Sequence, residues 1–125
     1  MKIWWSILLA STALAAEGPT VAPLLTKDLT GIAGKEAVML TVTFAPGASD
    51  TMHRHNAHTF VYMLEGSMTM QVKGGTEVTL QPGHTFYESP EDIHTVGRNA
   101  SSTKPAKFLV FFVKDKAAPA RIPVE

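Results

Sequence analysis

After residue 36 the chain is written in short apolar or alternating runs, each closed by Pro, Gly or a polar cluster. AVMLTVTF (37–44) is rich in β-branched and apolar residues, and TFVYMLEG (59–66) runs into a Glu65-Gly66 turn. SMTMQVK (67–73) alternates with period two, and Gly74-Gly75 is a hairpin signal before TEVTL (76–80). HTFYE (84–88) and IHTVGR (93–98) flank a Ser89-Pro90 break. A polar loop, NASSTKP (99–105), precedes AKFLVFFVK (106–114), whose unbroken apolar run predicts a strand buried on both faces. Further turns are expected at Ala45-Pro46-Gly47 and Gln81-Pro82-Gly83. No 3.6-residue apolar stripe follows the leader, so the pattern predicts a single all-β domain, a sandwich or barrel.

The two ends differ from this pattern. Lys2, the apolar stretch from Ile3 to about Ala10, and Ala13-Leu14-Ala15 or Leu14-Ala15-Ala16 have the layout of a cleaved signal peptide over residues 1–16. The apolar run is short for a bilayer span and is diluted by Ser6, Ser11 and Thr12, so no stable membrane anchor is expected after cleavage. The expected location is periplasmic or secreted. Residues 17–36 read as an N-terminal arm with at most one short strand, 37–114 as the barrel, and 115–125 as a Pro-rich extended tail lying on its own or a partner subunit.

Composition narrows the chemistry. The chain has 125 residues, with 11 Lys and Arg against 11 Asp and Glu. That balance offers no electrostatic footprint for nucleic acid. There is no cysteine, which removes disulfides and leaves imidazole, carboxylate, hydroxyl or water as metal ligands.

All five histidines fall between positions 53 and 94. His53 and His55 are two apart on an expected strand and therefore point to one face. They form half a metal site, and His94 is the expected third ligand. By strand alternation His58 faces the other way and Thr59 faces inward, unless a bulge at Asn56-Ala57 resets the phase. His58 is thus an outward or supporting residue with ligation left open, and Thr59 is a neutral hydroxyl suited to orienting a water. His84, after a Pro-Gly turn, is expected at the rim. One of Tyr87 and Glu88 must face the interior, and both are candidates for acid or base chemistry.

Gly47-ASDTM-His53-Arg54-His55-NAH-Thr59-FVYMLE-Gly66 resembles the first motif of the cupins, G-x5-H-x-H-x3-4-E-x6-G. Every spacing matches, but Thr59 stands where that family has glutamate. Gly83-HTFYE-Ser89-Pro90-Glu91-Asp92-Ile93-His94 is similar to the second motif, with Ser89 and Glu91 in place of Pro and Gly and with Asn99 one residue late. The resemblance implies a single-domain jelly-roll barrel with a divalent transition metal (Fe, Mn, Ni, Cu or Zn) held by His53, His55 and His94. It also implies a small-molecule ligand in the barrel mouth and pairing of two copies. Phe60, Tyr62 and either Phe111 or Phe112 are the candidates for a homodimer face.

Three neutral ligands leave a divalent ion its full charge, a centre suited to bidentate oxygen ligands. The expected function is that of an exported dioxygenase-like cupin similar to quercetin dioxygenases, acting on a small oxygen-rich molecule. The alternatives are a binding or sensing cupin without turnover, a metal-dependent lyase, decarboxylase or isomerase, or a β-sandwich whose metal site has decayed. Met39, Met52, Met63, Met68 and Met70 read as flexible apolar filler, with copper(I) ligation as a lesser option. Asn99-Ala100-Ser101 fits the glycosylation pattern, which arises often by chance.

Overall fold

A computed structural model of the chain describes residues 18–124. The signal-peptide segment expected over residues 1–16 lies outside the described residues. The described chain forms ten strands: β1 (Thr20–Asp28), β2 (Lys35–Phe44), β3 (His53–His55), β4 (Ala57–Glu65), β5 (Met68–Val72), β6 (Val78–Leu80), β7 (Thr85–Glu88), β8 (Ile93–Asn99), β9 (Ala106–Asp115) and β10 (Arg121–Pro123). They make two antiparallel five-stranded sheets, β1-β2-β9-β4-β7 and β10-β3-β8-β5-β6. The all-β expectation is met, and the two sheets face each other as a jelly roll.

Alternation decides which side chains fill the space between the sheets. Along β4, Ala57, Thr59, Val61 and Met63 are buried while His58, Phe60, Tyr62 and Leu64 are exposed. Across β9, Phe108, Val110 and Phe112 join them, and Val42 and Phe44 come from β2. Met63, Met68 and Met70 are fully buried within this core, the filler role expected of them, whereas Met52 is exposed. The longest apolar run behaves differently from expectation. Only one face of β9 is fully buried, because Lys107, Leu109, Phe111 and Val113 are half-covered on the outer face of the sheet. Phe112 points into the core, so Phe111 is the one of the pair that faces outward.

Both ends are more ordered than an arm and a tail. β1 pairs with β2 from Thr20 to Asp28 with a bulge between Pro23 and Leu25, although all nine of its residues stay exposed. β10 pairs with β3, setting Arg121 opposite His55 and Pro123 opposite His53. Lys114 anchors this return of the chain: its buried Nζ lies 2.7 Å from Glu36 and donates to the carbonyl of Ala118 at 2.7 Å. The tail's partner is thus its own barrel. Asn99 is also structural, since its buried Nδ2 donates to the carbonyls of Phe44, Ala45 and Lys104. An amide nitrogen so engaged is not open to glycosylation.

The two glycines that frame the first motif have different reasons to be glycine. Both sit at positive φ, 71° for Gly47 and 69° for Gly66. A Cβ at Gly47 would meet open space, but at Gly66 it would fall 2.3 Å from the carbonyl oxygen of Pro105. The expected outcome is that Gly47→Ala costs roughly 1 kcal/mol in chemical denaturation, the left-handed penalty alone. Gly66→Ala should cost several times as much, because backbone cannot yield as a side chain can.

Candidate metal centre

β3 and β8 are neighbours, and their register sets His53 directly opposite His94. His55, one pleat further along β3, shares the inward face. The three imidazoles each offer a ring nitrogen within 4.8 Å of the others, which makes them a group able to hold a metal ion. His53 and His94 are buried, and His55 is nearly so. They line a cavity of about 470 Å³ between the sheets, walled mostly by apolar side chains including Val42, Val61, Phe108 and Phe112.

The backbone sets the tautomers of two of these rings. His53 Nδ1 lies 2.8 Å from the carbonyl of Thr51, and His55 Nδ1 lies 3.1 Å from the carbonyl of Ala120. A carbonyl only accepts, so in the neutral rings both Nδ1 atoms carry the proton and both Nε2 atoms present lone pairs. Those two Nε2 atoms are 3.1 Å apart. Two lone pairs at that separation call for a cation between them, and one ion with metal–nitrogen distances of about 2 Å can touch both. His94 adds two buried ring nitrogens with no hydrogen-bond partner. Gly97 makes room for this ring, since a Cβ there would lie 3.1 Å from its Cε1.

The carboxylate missing at position 59 has a counterpart on the next strand. Thr59 pairs in register with Glu88 on β7, and both side chains are buried facing the cavity. Glu88 Oε1 is 3.3 Å from His94 Nδ1, and Oε2 is 3.8 Å from His55 Nε2. Thr59 Oγ1 and Glu88 Oε1 are, like the His94 nitrogens, buried without a partner. Four orphaned polar atoms in one apolar chamber are costly unless something binds there. Their chemistry, imidazole nitrogen with carboxylate and hydroxyl oxygen, fits a divalent transition metal.

Of the remaining candidates, Tyr87 and His58 lie together on the outside. His58 is exposed, its Nδ1 is 2.6 Å from the Tyr87 hydroxyl, and the rings stack with centroids 6.1 Å apart. The chain crosses from one sheet to the other at Asn56 without losing alternation, so Ala57 and Thr59 follow His55 inward and His58 does not. Between Tyr87 and Glu88 it is Glu88 that enters the barrel. His84 is exposed at the Gln81–Gly83 turn, where its Nδ1 accepts from the Gln81 amide. Asp50 and Arg121 were not legible as site residues. Arg121 Nη2 donates to Asp50 Oδ1 at 3.0 Å and to Thr51 Oγ1 at 2.8 Å, and both charged residues line the cavity.

The Cupin domain family model matches residues 40–112, more than half of the chain. The chain belongs to the cupin family. No curated protein sequence matches this cupin. Among solved structures it is similar to the DMSP lyase DddQ from Ruegeria pomeroyi DSS-3, at 17% identity and a TM-score of 0.69, over 97% of this chain and 60% of that one. It is similar to an oxalate oxidase in complex with the substrate analogue glycolate, at 23% identity and TM-score 0.64, over 86% of this chain and 55% of that one. It is also similar to the polyketide cyclase RemF from Streptomyces resistomycificus, at 23% identity and TM-score 0.65, over 88% of this chain and 73% of that one. The cupin therefore spans less than two thirds of the first two, and at these identities the likeness concerns the fold.

Burial governs the protonation of the metal-free site. It lowers His55 and His94 from 6.5 to about 4, helped by repulsion from His53, and raises Glu88 from 4.5 to about 7, helped by Asp92. Between pH 6.5 and 4 the unfolded chain binds protons at these imidazoles that the folded chain refuses, so stability falls on acidification. Each imidazole contributes on the order of 3 kcal/mol to that loss. Glu88 acts with the opposite sign, since between pH 4.5 and 7 the folded carboxyl keeps a proton the unfolded one releases. With two imidazoles against one carboxyl, thermal melts of metal-free protein should show a net loss of stability from pH 6.5 to 4.5. Glu88→Gln should steepen that loss.

Proposed function

We propose that this cupin is a metal-dependent oxidoreductase of the dioxygenase-like kind, acting on a small oxygen-rich organic molecule. His53, His55 and His94 would hold the metal. The observation that carries the reading is the set of buried, unpartnered nitrogen and oxygen atoms turned into one apolar cavity. A bound Fe, Mn, Ni or Cu ion would supply Lewis acidity and, where redox-active, a route for electrons to dioxygen.

The chain's own residues support that use. The carbonyls of Thr51 and Ala120 hold two imidazoles in the ligating tautomer. The apolar walls exclude water and favour a compact organic ligand over a polymer. The Arg121–Asp50 ion pair at the cavity edge gives an otherwise apolar chamber polar groups that suit an oxygen-rich ligand better than a purely apolar one. Relatives of the same fold are named as a lyase, an oxidase and a cyclase, so fold alone does not choose the reaction.

The reading includes export directed by residues 1–16 and pairing with a second copy through the outer face of the first sheet. Phe60, Tyr62 and Tyr87 there are each 46% exposed, a concentration of aromatic surface suited to self-association. Light scattering should give a dimer, and Phe60→Glu should give a monomer that keeps its metal.

Elemental analysis of protein purified without added metal should find about one transition metal ion per chain. His53→Ala and His94→Ala should each abolish it, whereas full occupancy in both variants overturns the assignment. Oxygen uptake with enediols, β-diketones or hydroxy acids separates a dioxygenase from a module that binds without turnover. Loss of the ligand without oxygen uptake would instead favour a lyase, decarboxylase or isomerase.

A further inference from the structure

We propose that Glu88 has taken over the metal-ligating role of the glutamate that the first motif lacks at Thr59, so that the centre is three imidazoles and one carboxylate. The inference rests on the reading of His53, His55 and His94 as a metal site and deepens it.

Three observations carry it. The first is register: Thr59 and Glu88 are directly paired partners on β4 and β7, facing the same side of the sheet. Paired residues have Cβ atoms about 5 Å apart, so a carboxylate moved from one to the other enters the same part of the chamber from a neighbouring strand. The second is isolation. Glu88 is 2% exposed, and among the described residues the only basic side chains within 4 Å of its carboxylate are His55 and His94. Among the described residues no Lys or Arg pairs with it, and Oε1 has no hydrogen-bond partner. A buried carboxylate without a cation is strongly disfavoured, and a metal ion on the adjacent imidazoles would remove that cost. The third is the exchange at position 59 itself. Thr59 is shorter than the motif's glutamate and leaves space beside Glu88, while its own orphaned hydroxyl can donate to a carboxylate or to a ligand water.

The exchange also changes the expected electrostatics. A three-histidine centre leaves a divalent ion its full double charge, whereas a centre that includes Glu88 carries one charge less. Carboxylate oxygen also broadens the choice of metal toward Mn(II) and away from a strict preference for nitrogen donors.

The test is Mn(II) titration of the metal-free full-length chain, with free Mn(II) read by electron paramagnetic resonance. Glu88→Gln should weaken binding roughly tenfold or more, and adding Thr59→Glu to Glu88→Gln should recover most of that loss. A side chain that served only packing would not be rescued from the neighbouring strand. Unchanged Mn(II) affinity in Glu88→Gln, as expected if Glu88 only carries protons, overturns the proposal, and so does a double variant no tighter than Glu88→Gln alone. The wild-type chain offers a reading that needs no variant: with 13C-labelled glutamate, the infrared carboxylate stretches should shift on Mn(II) addition. Absence of any shift overturns the proposal. His53→Ala distinguishes the two levels of inference. If it abolishes Mn(II) binding while Glu88→Gln does not weaken it, only the role of Glu88 fails. If His53→Ala also binds normally, the three-histidine reading fails with it.

Discussion

Two cross-strand pairs, His53 with His94 and Thr59 with Glu88, hold the polar groups of the barrel interior in place. Each pair belongs to a different sheet, and the sheets face each other, so four side chains from four strands converge on one chamber. The surroundings are apolar, and this is the source of the chemistry. Burial holds His55 and His94 neutral down to about pH 4, so their ring nitrogens stay free for an ion, and it makes an unpaired Glu88 carboxylate unfavourable. A divalent cation among these groups would offset the cost of burying them.

The rest of the barrel serves this convergence. β10 is three residues long, yet through the Ala120 carbonyl just before it the chain fixes His55, and through Arg121 it reaches Asp50 and Thr51 at the cavity edge. That return depends on the buried Lys114, whose ammonium ties Glu36 of β2 to the Ala118 carbonyl. Gly97 is similarly indirect, since any side chain there would press on the His94 ring. Residues outside the histidine cluster therefore limit where the imidazoles can point.

Some of this was legible without a structure. The His-x-His pair, the inward phase of Thr59 and the outward phase of His58 all follow from strand alternation, and the crossing at Asn56 preserved that phase. Of Tyr87 and Glu88, period-two logic required that one face inward but could not say which, because the phase of β7 depends on its pairing with β4. The ends were underestimated for a related reason. Residues 20–28 and 121–123 have weak local strand signals, with Pro23 in one and Pro123 in the other, and become strands only by pairing with β2 and β3.

What the sequence alone determined was periodicity: which residues are strand, which share a face, and that His53 and His55 must point together. The tertiary structure decided adjacency. Register brings His94 to His53, as the motif resemblance implied, and brings Glu88 to Thr59 and β10 to the edge of β3, across separations along the chain that no local pattern encodes. The physical reason is that a strand's alternation is a property of its own backbone. Its neighbour is selected by hydrogen bonding and burial shared with a segment elsewhere in the chain.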